Sequence, residues 1–134
     1  MASVSDYMTE VVVVQKSETV IEVIKTMVAN QKRIVAVVGA TNRIEGVVTY
    51  TDILKLLEAD IKHSRIMSGT VEIIMKGYAR FAFTEPTASL LEALRMMVDE
   101  GVRNLVVVRG LHPVGMINQE EILRWWLNEI VENK

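Results

Sequence analysis

The chain has 134 residues, 50% of them hydrophobic, enough to bury roughly two-thirds of the unfolded surface in one globular body. It holds no cysteine and two histidines, which excludes disulfides, thiolate metal sites and cysteine nucleophiles and leaves little for imidazole chemistry. A formal charge of -2 supplies no broad basic field for nucleic acid. Neither an apolar run approaching the roughly 18 residues of a membrane span nor a cleavable leader is present, so a cytoplasmic protein with no membrane partner is expected.

In chain order, Val11 to Val14 is a β-branched run whose stiff side chains favour extended backbone. Thr19 and Glu22 follow at capping-box spacing, and Val20, Ile24, Met27 and Val28 predict the apolar stripe of a helix ending at Asn30. Ile34 to Val38 is a continuous apolar run, suited to a strand buried on both faces. A turn over Gly39 to Asn42 leads to a strand at Gly46-Val-Val and a helix from about Thr51 to Ala59. The stretch from Lys62 to Thr70, with Ser64, Ser68 and Gly69, reads as a linker.

Beyond it, Arg80 to Thr84 is a second extended segment, and Pro86 suits the approach to a helix. Ser89 and Glu92 form the next capping box, Leu90, Leu91, Leu94, Met97 and Val98 the stripe, and Gly101 the end. Strands at Leu105 to Val108 and Gly115-Met-Ile, joined by a turn over Gly110 to Pro113, precede a helix from Glu120 to Val131.

The second series repeats the first. Gly46-Val-Val-Thr-Tyr-Thr-Asp52 aligns with Gly115-Met-Ile-Asn-Gln-Glu-Glu121, and each is followed by Ile-Leu. Arg33-Ile-Val-Ala-Val-Val38 aligns with Arg103-Asn-Leu-Val-Val-Val108. The period of roughly 67 to 70 residues is longer than solenoid units use, so two copies packed on each other are expected. We place repeat 1 at residues 1–61, the linker at 62–70 and repeat 2 at 71–134.

Each half resembles a cystathionine-β-synthase (CBS) domain, and the whole chain resembles a stand-alone tandem pair, or Bateman module. The resemblance rests on the Met8-Thr9 and Met75-Lys76 openings, the Thr19 to Met27 helix, the Arg103 to Val108 run and the Gly46 to Asp52 segment, and it covers nearly the whole chain. It implies an α/β (α+β) fold of two β-α-β-β-α repeats about a pseudo-twofold axis, with sheets face to face and two symmetric clefts. It further implies a homodimer that binds AMP, ADP, ATP or S-adenosylmethionine and regulates another protein.

Carried onto this chain, the resemblance gives Thr49 and Asp52 the ribose-binding role, since an ionised carboxylate accepts hydrogen bonds from paired hydroxyls. The same two residues also read as an ordinary helix cap. Asn118 and Glu121 cap equally well but depart from the family's Ser/Thr and Asp, so the second cleft is expected to be the weaker. Arg33 and Arg103 match phosphate-holding positions, which suits the guanidinium fork, although surface arginines at strand ends are equally ordinary. If both face one cleft, an anionic tail is favoured, AMP first and then ADP or ATP, with S-adenosylmethionine behind them. Lys16 and Arg80 are lesser phosphate candidates. Val12 and Val14, with the Arg80 to Thr84 stretch, match adenine-lining segments, the competing reading for each valine being plain core strand. Phe81 or Phe83 is placed over the second cleft, again against a core alternative.

His63 and His112 have no nearby acid or nucleophile, and neither an acid/base pair nor a metal cluster stands out, so an enzyme ranks last. The final helix carries Ile122, Leu123, Trp126, Leu127 and Ile130 on one face, beside Trp125. Part of that surface is expected against a second chain, because aromatic anchors are enriched at interfaces. Glu120, Glu121, Glu129 and Glu132 deny the helix the cationic face of a membrane binder. Two functions stay open: a nucleotide sensor acting on a protein in trans, and a dimeric scaffold with vestigial clefts.

Overall fold

The computed structural model describes residues 2–60, 69–77 and 83–132. In chain order its elements are α1 (Val4–Tyr7), β1 (Val13–Gln15), α2 (Val20–Asn30), β2 (Ile34–Val38), β3 (Ile44–Thr49) and α3 (Tyr50–Asp60). A 3-10 turn (Val71–Ile73), β4 (Lys76–Gly77), β5 (Phe83–Thr84), α4 (Leu90–Glu100), β6 (Asn104–Arg109), β7 (His112–Asn118) and α5 (Gln119–Trp125) follow, and α5 runs on as a π-helix over Trp126–Val131. They form two compact units, an N-repeat unit of Val12–Phe81 and a C-repeat unit of Met1–Val11 with Ala82–Lys134.

In the N-repeat unit the sheet order is β1-β2-β3-β4. β1 runs parallel to β2, as a helical crossover through α2 requires, and the other pairs are antiparallel. β2 is buried along its whole length, as its unbroken apolar run predicts. The α2 cap is the expected box: Thr19 Oγ1 accepts from Glu22 N at 3.1 Å, and Glu22 Oε1 accepts from Thr19 N at 3.2 Å. Val23 and Met27 of α2 pack on Val35, Val37 and Val48 of the sheet. The C-repeat unit repeats this with β5 parallel to β6 and β6 antiparallel to β7. Ser89 and Glu92 cap α4, and Leu90, Ala93 and Met97 pack on Leu105, Val107 and Ile117. The architecture is therefore mixed α/β, built as two β-α-β-β-α copies.

The buried stripes differ from the sequence reading. Val28 is 63% and Val98 70% exposed, and the inward positions are Val20, Val23 and Met27 on α2 and Leu90, Ala93 and Met97 on α4. A residue after Met27 or Met97 turns about 100° away from the sheet, which carries the valine out of the core. The left-handed end of α2 is Gln31 (φ 54), not Asn30. Asn30 stays helical and its amide donates to Thr26 O at 2.7 Å. On α5 the single expected apolar face divides. Ile122 and Trp125 enter the core, while Leu123, Trp126, Leu127 and Ile130 remain exposed.

Each unit also takes a short segment from the opposite sequence copy. Val4 of α1 and Val71 of the 3-10 turn are equivalent residues, both fully buried. Val4 N donates to Ala88 O at 2.7 Å, and Ser3 bridges Ser89 in the C-repeat unit. Val71 N donates to Glu18 O at 2.9 Å, and Thr70 bridges Thr19 in the N-repeat unit. Thr9 then pairs with Met116, as Lys76 does with Val47. Elements of three or four residues are too short to leave a periodic apolar pattern, which is why neither turn was visible in the sequence. Most of the expected linker, with His63, and the candidates Arg80 and Phe81 lie outside the described residues. Among the described residues no helix is long and apolar enough to cross a membrane.

Candidate functional site

β3 passes directly into α3, so Thr49 is the last strand residue and Tyr50 the first helical one. Thr49 lies opposite Ile34, and Tyr50 N donates to Arg33 O at 3.0 Å. That register brings Arg33, Thr49 and Asp52 to one end of the sheet. Asp52 Oδ2 accepts from Thr49 N at 2.8 Å and from the Thr49 hydroxyl at 2.9 Å, and Thr49 Oγ1 is 3.3 Å from Asp52 N. The carboxylate is thus aimed and held by the first turn of α3, whose positive end favours it. Thr49 and Asp52 are half-buried and Arg33 is exposed. A fixed, accessible carboxylate can accept from hydroxyls, and an exposed arginine whose backbone lies at the same end of the sheet supplies a cation suited to an acidic group.

The other first-repeat candidates are distributed differently. Val14 is 2% exposed and belongs to the core, and Val12 packs at the edge of the same core with its carbonyl accepting from Ala36 N at 3.0 Å. Lys16 follows β1 at the far end of β2, where its N donates to Val38 O at 3.0 Å. Four residue steps along β2 separate that end from Ile34 by about 13 Å. Lys16 Nζ instead meets Glu45 Oε1 at 3.4 Å, with both side chains partly exposed. The N-repeat unit therefore groups Thr49, Asp52 and Arg33, turns Val14 inward and places Lys16 elsewhere.

The C-repeat unit has the same backbone and different chemistry. Asn104 lies opposite Asn118, and Gln119 N donates to Arg103 O at 3.2 Å. Asn118 Oδ1 accepts from Glu120 N at 2.8 Å and Glu121 N at 3.3 Å, and Glu121 Oε1 accepts from Asn118 N at 3.0 Å. Glu121 is only 2% exposed, with Arg124 Nη1 4.0 Å from its second oxygen. The carboxylate of the second copy therefore lies inside, and its capping partner offers an amide in place of a hydroxyl. The Glu121–Arg124 contact has a signal in the sequence, a spacing of three residues on one helix. Arg103 is exposed and lines an open groove between α4 and α5.

The model of the CBS domain matches this chain twice, over residues 4–59 and 73–128. Among solved structures, AcuB of Vibrio cholerae, named for acetoin utilization, is 24% identical with a TM-score of 0.82, covering 100% of this chain and 98% of that one. CBSX2 is 22% identical with a TM-score of 0.80, covering 95% and 97%. The CBS domain pair of protein MJ0100 is 19% identical with a TM-score of 0.80, covering 100% and 99%. Curated protein sequences gave no match.

Proposed function

The chain belongs to the CBS domain family, and we propose that it is a ligand-sensing regulatory module that binds an adenine nucleotide through its first repeat. AMP is the first candidate, then ADP or ATP. The observation that carries this reading is the Thr49–Asp52 pair, a half-buried carboxylate aimed by a helix start, with the backbone of exposed Arg33 at the same end of the sheet. The carboxylate accepts from the ribose hydroxyls, and the guanidinium favours a phosphate tail over the zwitterionic tail of S-adenosylmethionine. CBSX2 was solved with AMP, and the MJ0100 pair with 5'-methylthioadenosine and S-adenosyl-L-methionine, which supports an adenosine-type ligand. No catalytic role is assigned. The module acts in the cytoplasm as a homodimer on a protein in trans, and binding biases that protein by the ligand's differential affinity for two states of the module.

Thermal unfolding with AMP, ADP, ATP and S-adenosylmethionine tests this. A ligand at 100 times its Kd stabilises the folded state by about 2.7 kcal/mol. AMP is expected to raise the Tm of the native chain, and Asp52→Ala to abolish that rise while the apo protein still melts cooperatively. An unchanged AMP shift in Asp52→Ala removes the residue from the site. One observation favours a second reading, a dimeric scaffold with vestigial clefts: the closed, buried cap at Glu121. Absence of a shift with every nucleotide at millimolar concentration selects it.

A further inference from the structure

The two repeats share a backbone where the second helix of each begins, and they fill the space beside it differently. In the N-repeat unit Tyr50 opens α3, and its half-buried ring packs against the core that holds Met27 and Ile53. Its backbone N donates to Arg33 O at 3.0 Å, and its hydroxyl approaches Met27 O, near the end of α2, at 3.5 Å. The phenol ring therefore reaches from the Arg33 backbone across to the last turn of α2. In the C-repeat unit the aligned residue is Gln119, which is exposed and carries no ring. Gly101 also stands where the first copy has Gln31, so a second side chain is absent from the same place.

Between α4 and α5 the C-repeat unit has an open groove of about 540 Å³, within the roughly 300 to 1,000 Å³ of small-ligand sites. Leu94 and Val98 of α4 and Ile122 and Leu123 of α5 give it apolar walls. Arg103 and Gln119 line it together, joined by the 3.2 Å bond from Gln119 N to Arg103 O. Met97 O, the counterpart of Met27 O, accepts from Val102 N at 3.1 Å, and among the described residues no side-chain hydroxyl reaches it. Arg103 is exposed, and among the described residues no carboxylate pairs with its guanidinium. The carboxylates of Glu120 and Glu121 lie 3.2 and 4.0 Å from Arg124 instead. The groove thus combines apolar walls, an acceptor at one side and an uncommitted cation.

We propose that this groove is a ligand site for a small hydroxyaryl acid. The first repeat shows the pose, because its own phenol occupies the equivalent space. A free ring set as Tyr50 is set directs its hydroxyl to Met97 O and its opposite end to Arg103, whose fork suits a carboxylate there. Every group named belongs to the C-repeat unit, so the proposal is independent of the nucleotide reading. Methyl NMR of the native chain, following Leu94, Val98 and Leu123, tests it with 4-hydroxyphenylacetate as probe. Saturable shifts at millimolar ligand are expected, with weaker binding of phenylacetate, which lacks the hydroxyl, and of 4-cresol, which lacks the carboxylate. Gln119→Tyr restores the ring of the first repeat at an exposed position and is expected to abolish the shifts with unchanged circular dichroism. Arg103→Gln is expected to weaken the acid about tenfold, the worth of a hydrogen bond between charged groups, and to leave 4-cresol unaltered. Shifts that do not saturate, equal affinity for the three compounds, or undiminished binding by Gln119→Tyr overturns the site. Binding of the acid that Arg103→Gln leaves unaltered overturns its anionic specificity.

Discussion

Asp52 and Glu121 occupy the same place at the start of α3 and α5, and one methylene separates their environments. The shorter side chain stays half-buried and the longer is 2% exposed. Asp52→Asn preserves shape and removes the charge, and it is expected to weaken AMP binding at least tenfold by calorimetry, because a neutral amide is a poorer acceptor for two hydroxyls. A second carboxylate shows what the capping boxes do to acidity. The Thr19 backbone N–H, then its hydroxyl, hold the Glu22 carboxyl below the usual glutamate range. With the folded value depressed, its stabilising effect is present above the ordinary glutamate pKa and is lost as pH falls through the folded value. Thr19→Ala is therefore expected to move the Glu22 titration upward, toward the ordinary range, in a carboxyl NMR titration. The residues of both pairs were legible in the sequence because a box needs only fixed local spacing. The burial of Glu121 was not legible, because it depends on how β7 and α5 pack around it.

The helices α2 and α4 are built alike and end differently. Gln31 takes the left-handed conformation at φ 54 that Gly101 takes at φ 65. A side chain there meets the following carbonyl, so Gln31→Gly is expected to stabilise by a few tenths to about 1 kcal/mol and Gly101→Ala to cost about 1 kcal/mol, read from denaturant midpoints. The stripe of α2 makes a sharper test. Met27 is 1% exposed and its neighbour Val28 63%. Met27→Ala is expected to cost about 2 to 5 kcal/mol through the cavity it leaves, and Val28→Ala less than about 0.5 kcal/mol. Periodicity located both helices within a residue or two. It did not rank the two sides of the stripe, since an apolar residue at the edge of a helical face scores the same whether the sheet or solvent lies beside it.

Across the whole molecule, the exchange of short segments between sequence copies ties chain regions far apart in sequence. In the C-repeat unit a Cβ at Gly115 would lie 2.8 Å from Met8 Sδ and 3.1 Å from Thr9 O. Thr9 and Met116 exchange backbone hydrogen bonds at 2.8 and 3.0 Å, so the backbone has little room to yield. Gly115→Ala is expected to cost about 1 to 3 kcal/mol in thermal unfolding. The glycine looked in the sequence like the start of a strand, and only the arrival of Thr9 explains why a side chain is excluded. The sequence by itself determined the duplication, the helix caps and the buried strands β2 and β6, because capping, turn chemistry and apolar runs act between residues a few positions apart. Tertiary structure alone decided which copy receives each lead-in turn, how deeply Asp52 and Glu121 lie, and that Lys16 pairs with Glu45 away from Thr49. Those outcomes arise from contacts between distant residues, whose partners no local pattern names.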